Sequence, residues 1–113
     1  MSDPKRSGDV TVAKPKTRTK PKVERPRLWK VLLHNDDYTP MEFVVLVLKE
    51  VFQKSDADAM AVMLHAHTHG MAVAGVYTHE IAETKVSDTM TLAEKAGFPL
   101  LCSMEPEDAP ASE

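Results

Sequence analysis

The stretch His65-Ala66-His67-Thr68-His69 places three of the chain's five histidines at alternate positions. Imidazole is both a metal ligand and a proton carrier near neutral pH, so the spacing decides what the group can do. Residues 55–64 (SDADAMAVML) read as helix, with Gly70 as its left-handed stop. On that helix His65 and His69, four apart, share a face, while His67 points roughly 200 degrees away. The three cannot meet on one ion. A zinc site would need a further ligand beside His65 and His69, from His79 or an aspartate of another segment. Cys102, the only cysteine, has no CxxC partner. Neither a metal site nor a cofactor is expected.

The run Asn35-Asp36-Asp37 is the second chemical candidate. Adjacent acids with His67 could in principle move protons, but in a loop such residues more often form turns or stay solvated. The sequence has no Gly-rich phosphate loop, no nucleophile elbow and no H-E-x-x-H pair. No catalytic residue is expected, and the chain does not read as an enzyme. Another constellation says more: Met63 and His67 are i, i+4, and Met41 and Val44 occupy one helical turn just after the Asn35–Asp37 loop. If the two helix faces meet, thioethers and an aliphatic side chain line a cavity with carboxylates, an amide and an imidazole at its mouth. Such a site suits a cation attached to an apolar group. The competing reading leaves Met41, Val44 and Met63 as core alone.

The elements that must position these residues can be read from periodicity. Leu28 to His34 alternates Trp29, Val31 and Leu33 against Lys30 and His34, a strand. Thr39, Pro40 and Glu42 fit N-cap, N1 and N3 of a capping box. Met41, Val44, Val45, Leu48, Val51 and Phe52 then recur with helical spacing. Ser55 with Asp56 and Asp58 starts a second helix carrying Met60, Met63, Leu64 and His67. Met71 to Tyr77 reads as a strand, with Gly75 a bulge or close-approach point. Thr78 can cap a third helix whose Ala82, Val86, Met90 and Ala93 stripe ends at Gly97, and Leu100 to Met104 forms the last strand around a packed Cys102. The fold class is α+β, in the order β-α-α-β-α-β, with a three-stranded antiparallel sheet covered by three helices.

At 113 residues and 42% apolar, the chain has room for one small domain, residues 28–105. It has no apolar run of membrane-span length and no apolar core to a secretory signal, which predicts a soluble, cytoplasmic protein with no membrane partner. Residues 1–27 hold nine basic and three acidic residues, +6, which leaves −9 for the rest. Four prolines and few apolar residues keep that arm from folding, so it is expected to be a disordered basic extension. Residues 106–113 are expected to be a disordered tail. The arm permits a second class, a ribosome- or RNA-associated binding domain. It lacks aromatics for base stacking, and the domain behind it is acidic, so a protein partner fits better than nucleic acid.

The blocks HNDDYTPMEFVVLVL, AVMLHAH, GVYTHEIAETKV and FPLLC together resemble the ClpS family, adaptors of the bacterial Clp protease. The resemblance covers nearly all of residues 28–105. It implies a domain similar to the C-terminal domain of the large-subunit ribosomal stalk protein. It also implies an adaptor that binds proteins with N-terminal Leu, Phe, Tyr or Trp, the N-degrons of the N-end rule, and passes them to the ClpA unfoldase and ClpP peptidase. By position, the contacts to the substrate α-amino group and backbone fall on Asn35, Asp36, Asp37 and His67. The side-chain pocket falls on Thr39, Met41, Val44, Met63 and Leu100. The surface for the ClpA N-terminal domain falls on Glu80, Glu83 and Lys85, and the arm takes the place of the family's N-terminal extension. His65, His69 and His34 fall outside the family's pocket, and a monomer is the expected state.

Overall fold

A computed structural model describes residues 26–108; the expected arm to residue 25 and the tail from 109 lie outside the described residues. Six elements follow in chain order. They are β1 (Leu28–His34), α1 (Met41–Glu50), α2 (Asp56–His69), β2 (Met71–Thr78), α3 (His79–Ala96) and β3 (Leu101–Pro106). β1 is the central strand, antiparallel to both neighbours, in the order β2-β1-β3. This is the predicted α+β order and sheet.

The alternation in β1 turns Val31 and Leu33 into the core. The register with β2 pairs Val31 with Gly75 and Leu32 with Val73, so Ala74 is the extra residue of a bulge. Beside it, Gly75 lets the Tyr77 side chain fold back along the strand. A Cβ on Gly75 would sit 2.6 and 2.7 Å from Tyr77 ring carbons. Gly75→Ala is therefore expected to displace that ring from its place near Phe52, 6.4 Å between centroids. The expected loss of about 1 kcal/mol from overpacking is read as a lowered unfolding midpoint in urea.

α1 starts differently from the expected capping box. Its N-cap is Pro40, with no side-chain cap bond, and the Pro40 carbonyl accepts from the N–H of Phe43 and Val44 at 3.0 and 3.2 Å. The Thr39 hydroxyl is turned back to the loop, donating to Asp36 Oδ2 at 2.8 Å. α2 follows its caps as read: Ser55 Oγ accepts from Asp58 N–H, and Gly70 closes the helix at φ 95°. Its inward face is Ala59, Met63 and Ala66, whereas the larger Met60 and Leu64 are 46% and 48% exposed. The alanines let α2 approach the sheet closely, which longer side chains would prevent.

α3 buries Ala82, Thr89 and Ala93, with Val86 packed against the core, while Met90 is exposed. The Thr78 side chain makes no cap bond. β3 begins one residue later than expected and runs on to Pro106, opposite Trp29. An edge strand tolerates that proline because no neighbour needs its N–H. Cys102 is buried, and burial pushes its thiol up to about 11, so it packs as a protonated thiol. No helix among the described residues is long and apolar enough to cross a membrane.

Candidate functional site

The end of β1, the loop after it and the facing turns of α1 and α2 enclose a cavity of about 210 Å³. All nine residues of the predicted amine-binding set and side-chain pocket line it, joined by Leu33, His34 and Ala66. Leu33 comes from β1, Met41 and Val44 from α1, Met63 and Ala66 from α2, and Leu100 from the segment before β3. Leu33, Met63 and Leu100 are buried, while Met41 is 42% exposed and stands at the opening. Drug-sized pockets span roughly 300–1,000 Å³, so this one is sized for a single side chain.

The polar residues of the site are positioned by the backbone. Asn35 N–H donates to the Gly70 carbonyl at 2.8 Å, which ties the loop to the C-cap of α2 and holds Asn35 near His67. Asp36 organises the loop from within: Oδ1 accepts the N–H groups of Tyr38 and Thr39 at 2.8 and 2.7 Å, and Oδ2 accepts the Thr39 hydroxyl. Asp37 has no hydrogen-bond or ion-pair partner among the described residues and is exposed. One carboxylate is thus committed to the turn, and the other is turned to solvent at the cavity mouth.

Residues 24–103 match the family described as "ATP-dependent Clp protease adaptor protein ClpS". The chain belongs to the ClpS family. It is 62% identical over 86 residues to the ATP-dependent Clp protease adapter protein ClpS of Desulfatibacillum aliphaticivorans, covering 76% of this chain and 83% of that protein. It is 51% identical over 110 residues to the Parvibaculum lavamentivorans ClpS, covering 95% and 100%. A solved structure of Agrobacterium tumefaciens ClpS2 bound to L-phenylalaninamide is similar at TM-score 0.71 and 52% identity. It covers 74% of this chain and all of that one.

Within this ClpS fold the other sequence-singled residues lie elsewhere. Glu80 and Glu83 are exposed at the start of α3. Lys85 is half-buried, and its ammonium donates to the Val51 carbonyl at 2.6 Å and to Gln53 Oε1 at 2.8 Å. It therefore fastens the turn after α1, where Gln53 adopts φ 54°. His65 and His69 are outside the cavity, stacked on each other at 4.1 Å. His79 does not join them, since its ring meets Trp29 edge-on at 4.7 Å with Glu83 at 3.9 Å. His34 departs from expectation. It lines the cavity and bonds through Nε2 to Ser103 Oγ at 2.7 Å, because the sheet register brings β3 alongside the last residue of β1.

Leu33 was legible as a core residue but not as a wall, and Ala66 carries no side chain that flags it. Its one signal is its place one turn beyond Met63.

The Asp36 turn gives a test of its own. Burial pushes its carboxyl up, but the Thr39 N–H, Tyr38 N–H and Thr39 hydroxyl together outweigh that and hold it below the usual 3.8. A depressed value means that the turn's stabilisation is fully present above the unfolded carboxyl's range. It is lost only as pH falls through the lower folded value. Asp36→Ala should free the loop and weaken peptide binding by about tenfold, since hydrogen bonds to a charged group contribute roughly 1.5–3 kcal/mol each. In the wild type the turn itself should persist between pH 8 and about 5. Isothermal titration of the variant checks the first expectation, and the Tyr38 and Thr39 amide resonances followed across that pH range check the second.

Proposed function

We propose that this chain recognises proteins by an N-terminal Leu, Phe, Tyr or Trp and delivers them to the ClpA unfoldase and ClpP peptidase. The observation that carries the reading is the single-side-chain cavity with Asn35, Asp37 and His67 at its mouth. L-Phenylalaninamide, the molecule bound to the Agrobacterium ClpS2, has the matching chemistry, a free amine beside one apolar ring.

An N-terminal ammonium has three donors. Asn35 Oδ1, an Asp37 carboxylate oxygen and a His67 ring nitrogen supply three acceptors. Asp36 fixes the loop that carries two of them. The N-terminal end of α1 faces the same region and would repel a cation, an effect the two aspartates offset. Leu33, Val44, Met63, Ala66 and Leu100 then enclose the side chain. Methionine adapts to flat and branched shapes alike, which suits four accepted residue types. Burying one Leu or Phe side chain adds roughly 1.5–3 kcal/mol. Together with the polar anchor, this reaches a micromolar-scale complex after association costs.

In this reading Glu80 and Glu83 offer carboxylates to the ClpA N-terminal domain, and Lys85 holds the turn beside them. The basic arm of residues 1–27 hands the substrate over, and residues 28–105 act as a monomeric cytoplasmic binding domain without enzymatic activity. The deciding experiment titrates the whole chain with matched peptides beginning Leu, Phe, Trp, Tyr, Ile or Ala. It then measures ClpAP degradation of a Phe-initiated substrate with and without the chain. Binding that ignores the first residue, or degradation unchanged by the chain, would sink the proposal.

A further inference from the structure

We propose that Met41 is an oxidation site through which hydrogen peroxide disarms the binding cavity, an inference that rests on the cavity taking the N-terminal side chain of a substrate. Two methionines line the cavity, and they differ in access. Met63 is buried in the wall, whereas Met41, the first residue of α1, stands exposed at the opening. Met60, Met71 and Met90 are about as exposed as Met41 but lie outside the cavity. Peroxide therefore reaches several thioethers, and among these only Met41 borders the ligand. In the reaction the sulfur attacks one peroxide oxygen, an S–O bond forms, the O–O bond breaks and water leaves. The two electrons lost by sulfur reduce the peroxide, so no further reactant is needed.

The sulfoxide differs from the thioether in the property that the cavity uses. A flexible apolar side chain becomes a polar one whose oxygen is a strong acceptor. Water solvates that oxygen in the free chain, because Met41 is exposed. A ligand seated beneath the opening strips part of this water, and the nearby loop supplies little to replace it. The Thr39 hydroxyl already donates to Asp36, and the ionised Asp36 and Asp37 carboxylates only accept. An acceptor deprived of both water and partner opposes binding. Oxidation also keeps the bulk of the side chain, which truncation to alanine removes. It should weaken the binding of Leu and Phe termini without admitting Ile or Val.

The test titrates the full chain with Phe- and Ile-initiated peptides before and after mild hydrogen peroxide treatment, with sulfoxides located by mass spectrometry of proteolytic fragments. An untreated chain that ignores the Phe peptide overturns the cavity reading and this proposal with it; the other outcomes bear on Met41 alone. Sulfoxide at Met41 should lower affinity for the Phe peptide about four- to fifteenfold, roughly the effect of losing one or two buried methylenes. The Ile peptide should bind no tighter, and methionine sulfoxide reductases with dithiothreitol should restore the Phe peptide. Saturating Phe peptide should slow oxidation at Met41 and leave the rates at Met60, Met71 and Met90 unchanged. Met41→Leu, judged against its own untreated affinity, should lose nothing on treatment. The combined Met60→Leu, Met71→Leu and Met90→Leu variant should lose as much as the wild type. A Met41 sulfoxide that binds the Phe peptide as well as the thioether does, or a loss that persists in Met41→Leu, overturns the proposal.

Discussion

Acetylating the α-amine of a Phe-initiated peptide is expected to reduce its affinity for this chain at least about a hundredfold, the larger of the two penalties that separate the parts of the site. The ammonium offers three donors, and each hydrogen bond between it and Asn35, Asp37 or His67 contributes about 1.5–3 kcal/mol, since one partner is charged. The acetyl amide keeps a single N–H, loses the charge and adds bulk where the loop is held rigid. That rigidity comes from Asn35 N–H on the Gly70 carbonyl and from the three donors on Asp36, so the loop cannot retreat to admit the added group. Removing two such bonds corresponds to about 3 kcal/mol or more, and 1.4 kcal/mol is tenfold. Replacing the first residue by Ala, amine intact, forfeits only the burial of one ring, roughly 1.5–3 kcal/mol. Anisotropy titrations of the peptides, free and acetylated, make the comparison. An acetylated peptide within about threefold of its parent would show that the rim does not read the amine.

The sequence makes some of this architecture visible and conceals the rest for physical reasons. The two-residue period of β1 and the helical period of α1 are strong because each element buries one face only, and both elements form at nearly the expected bounds. The residues of the amine-binding set and side-chain pocket converge in space because loop 35–39 is tied to the end of α2 by a backbone hydrogen bond and the two helices share a core. Thr39 was misleading. A threonine before Pro40 with Glu42 following has the form of a capping box, but the Thr39 hydroxyl is turned back to Asp36, three residues earlier, and the extended Pro40 takes the cap position. Burial in α2 was misleading in the opposite way. Pattern reading weights Met60 and Leu64, yet the face that meets the sheet is built on Ala59 and Ala66, whose value lies in their small size. For the same reason Ala66 was invisible as a cavity wall. His34 is hidden in the sequence because its partner Ser103 is 69 residues away, and only the strand register brings them together.

Met41→Ala should change which residues are accepted more than how tightly the best are held. Met41 is the first residue of α1 and is 42% exposed at the cavity opening, unlike the buried Met63 deeper in the wall. Helical side chains lean toward the N-terminus, which from Met41 is the direction of the loop, and the ligand's Cβ would lie on that side if its amine is bound at the rim. An unbranched Cβ passes beneath the thioether, whereas the extra methyl of Ile or Val meets it, a misfit of about 1–3 kcal/mol. Truncation removes that obstacle. Peptides beginning with Ile or Val should gain roughly ten- to a hundredfold, while those beginning with Leu or Phe lose a smaller amount of apolar contact. Because Met41 is largely outside the core, the variant should keep its fold, so a change in selectivity cannot be attributed to unfolding. Val44→Ala supplies the contrast. Val44 is half-buried against the core and lines the cavity without standing at its mouth, so its loss should weaken all apolar termini together and leave their ranking unchanged. Titration of both variants with Leu, Phe, Ile and Val peptides separates a gate from a wall. An unchanged Ile-to-Leu ratio in Met41→Ala would remove Met41 from the role of gate and leave the exclusion of branched residues to the buried wall.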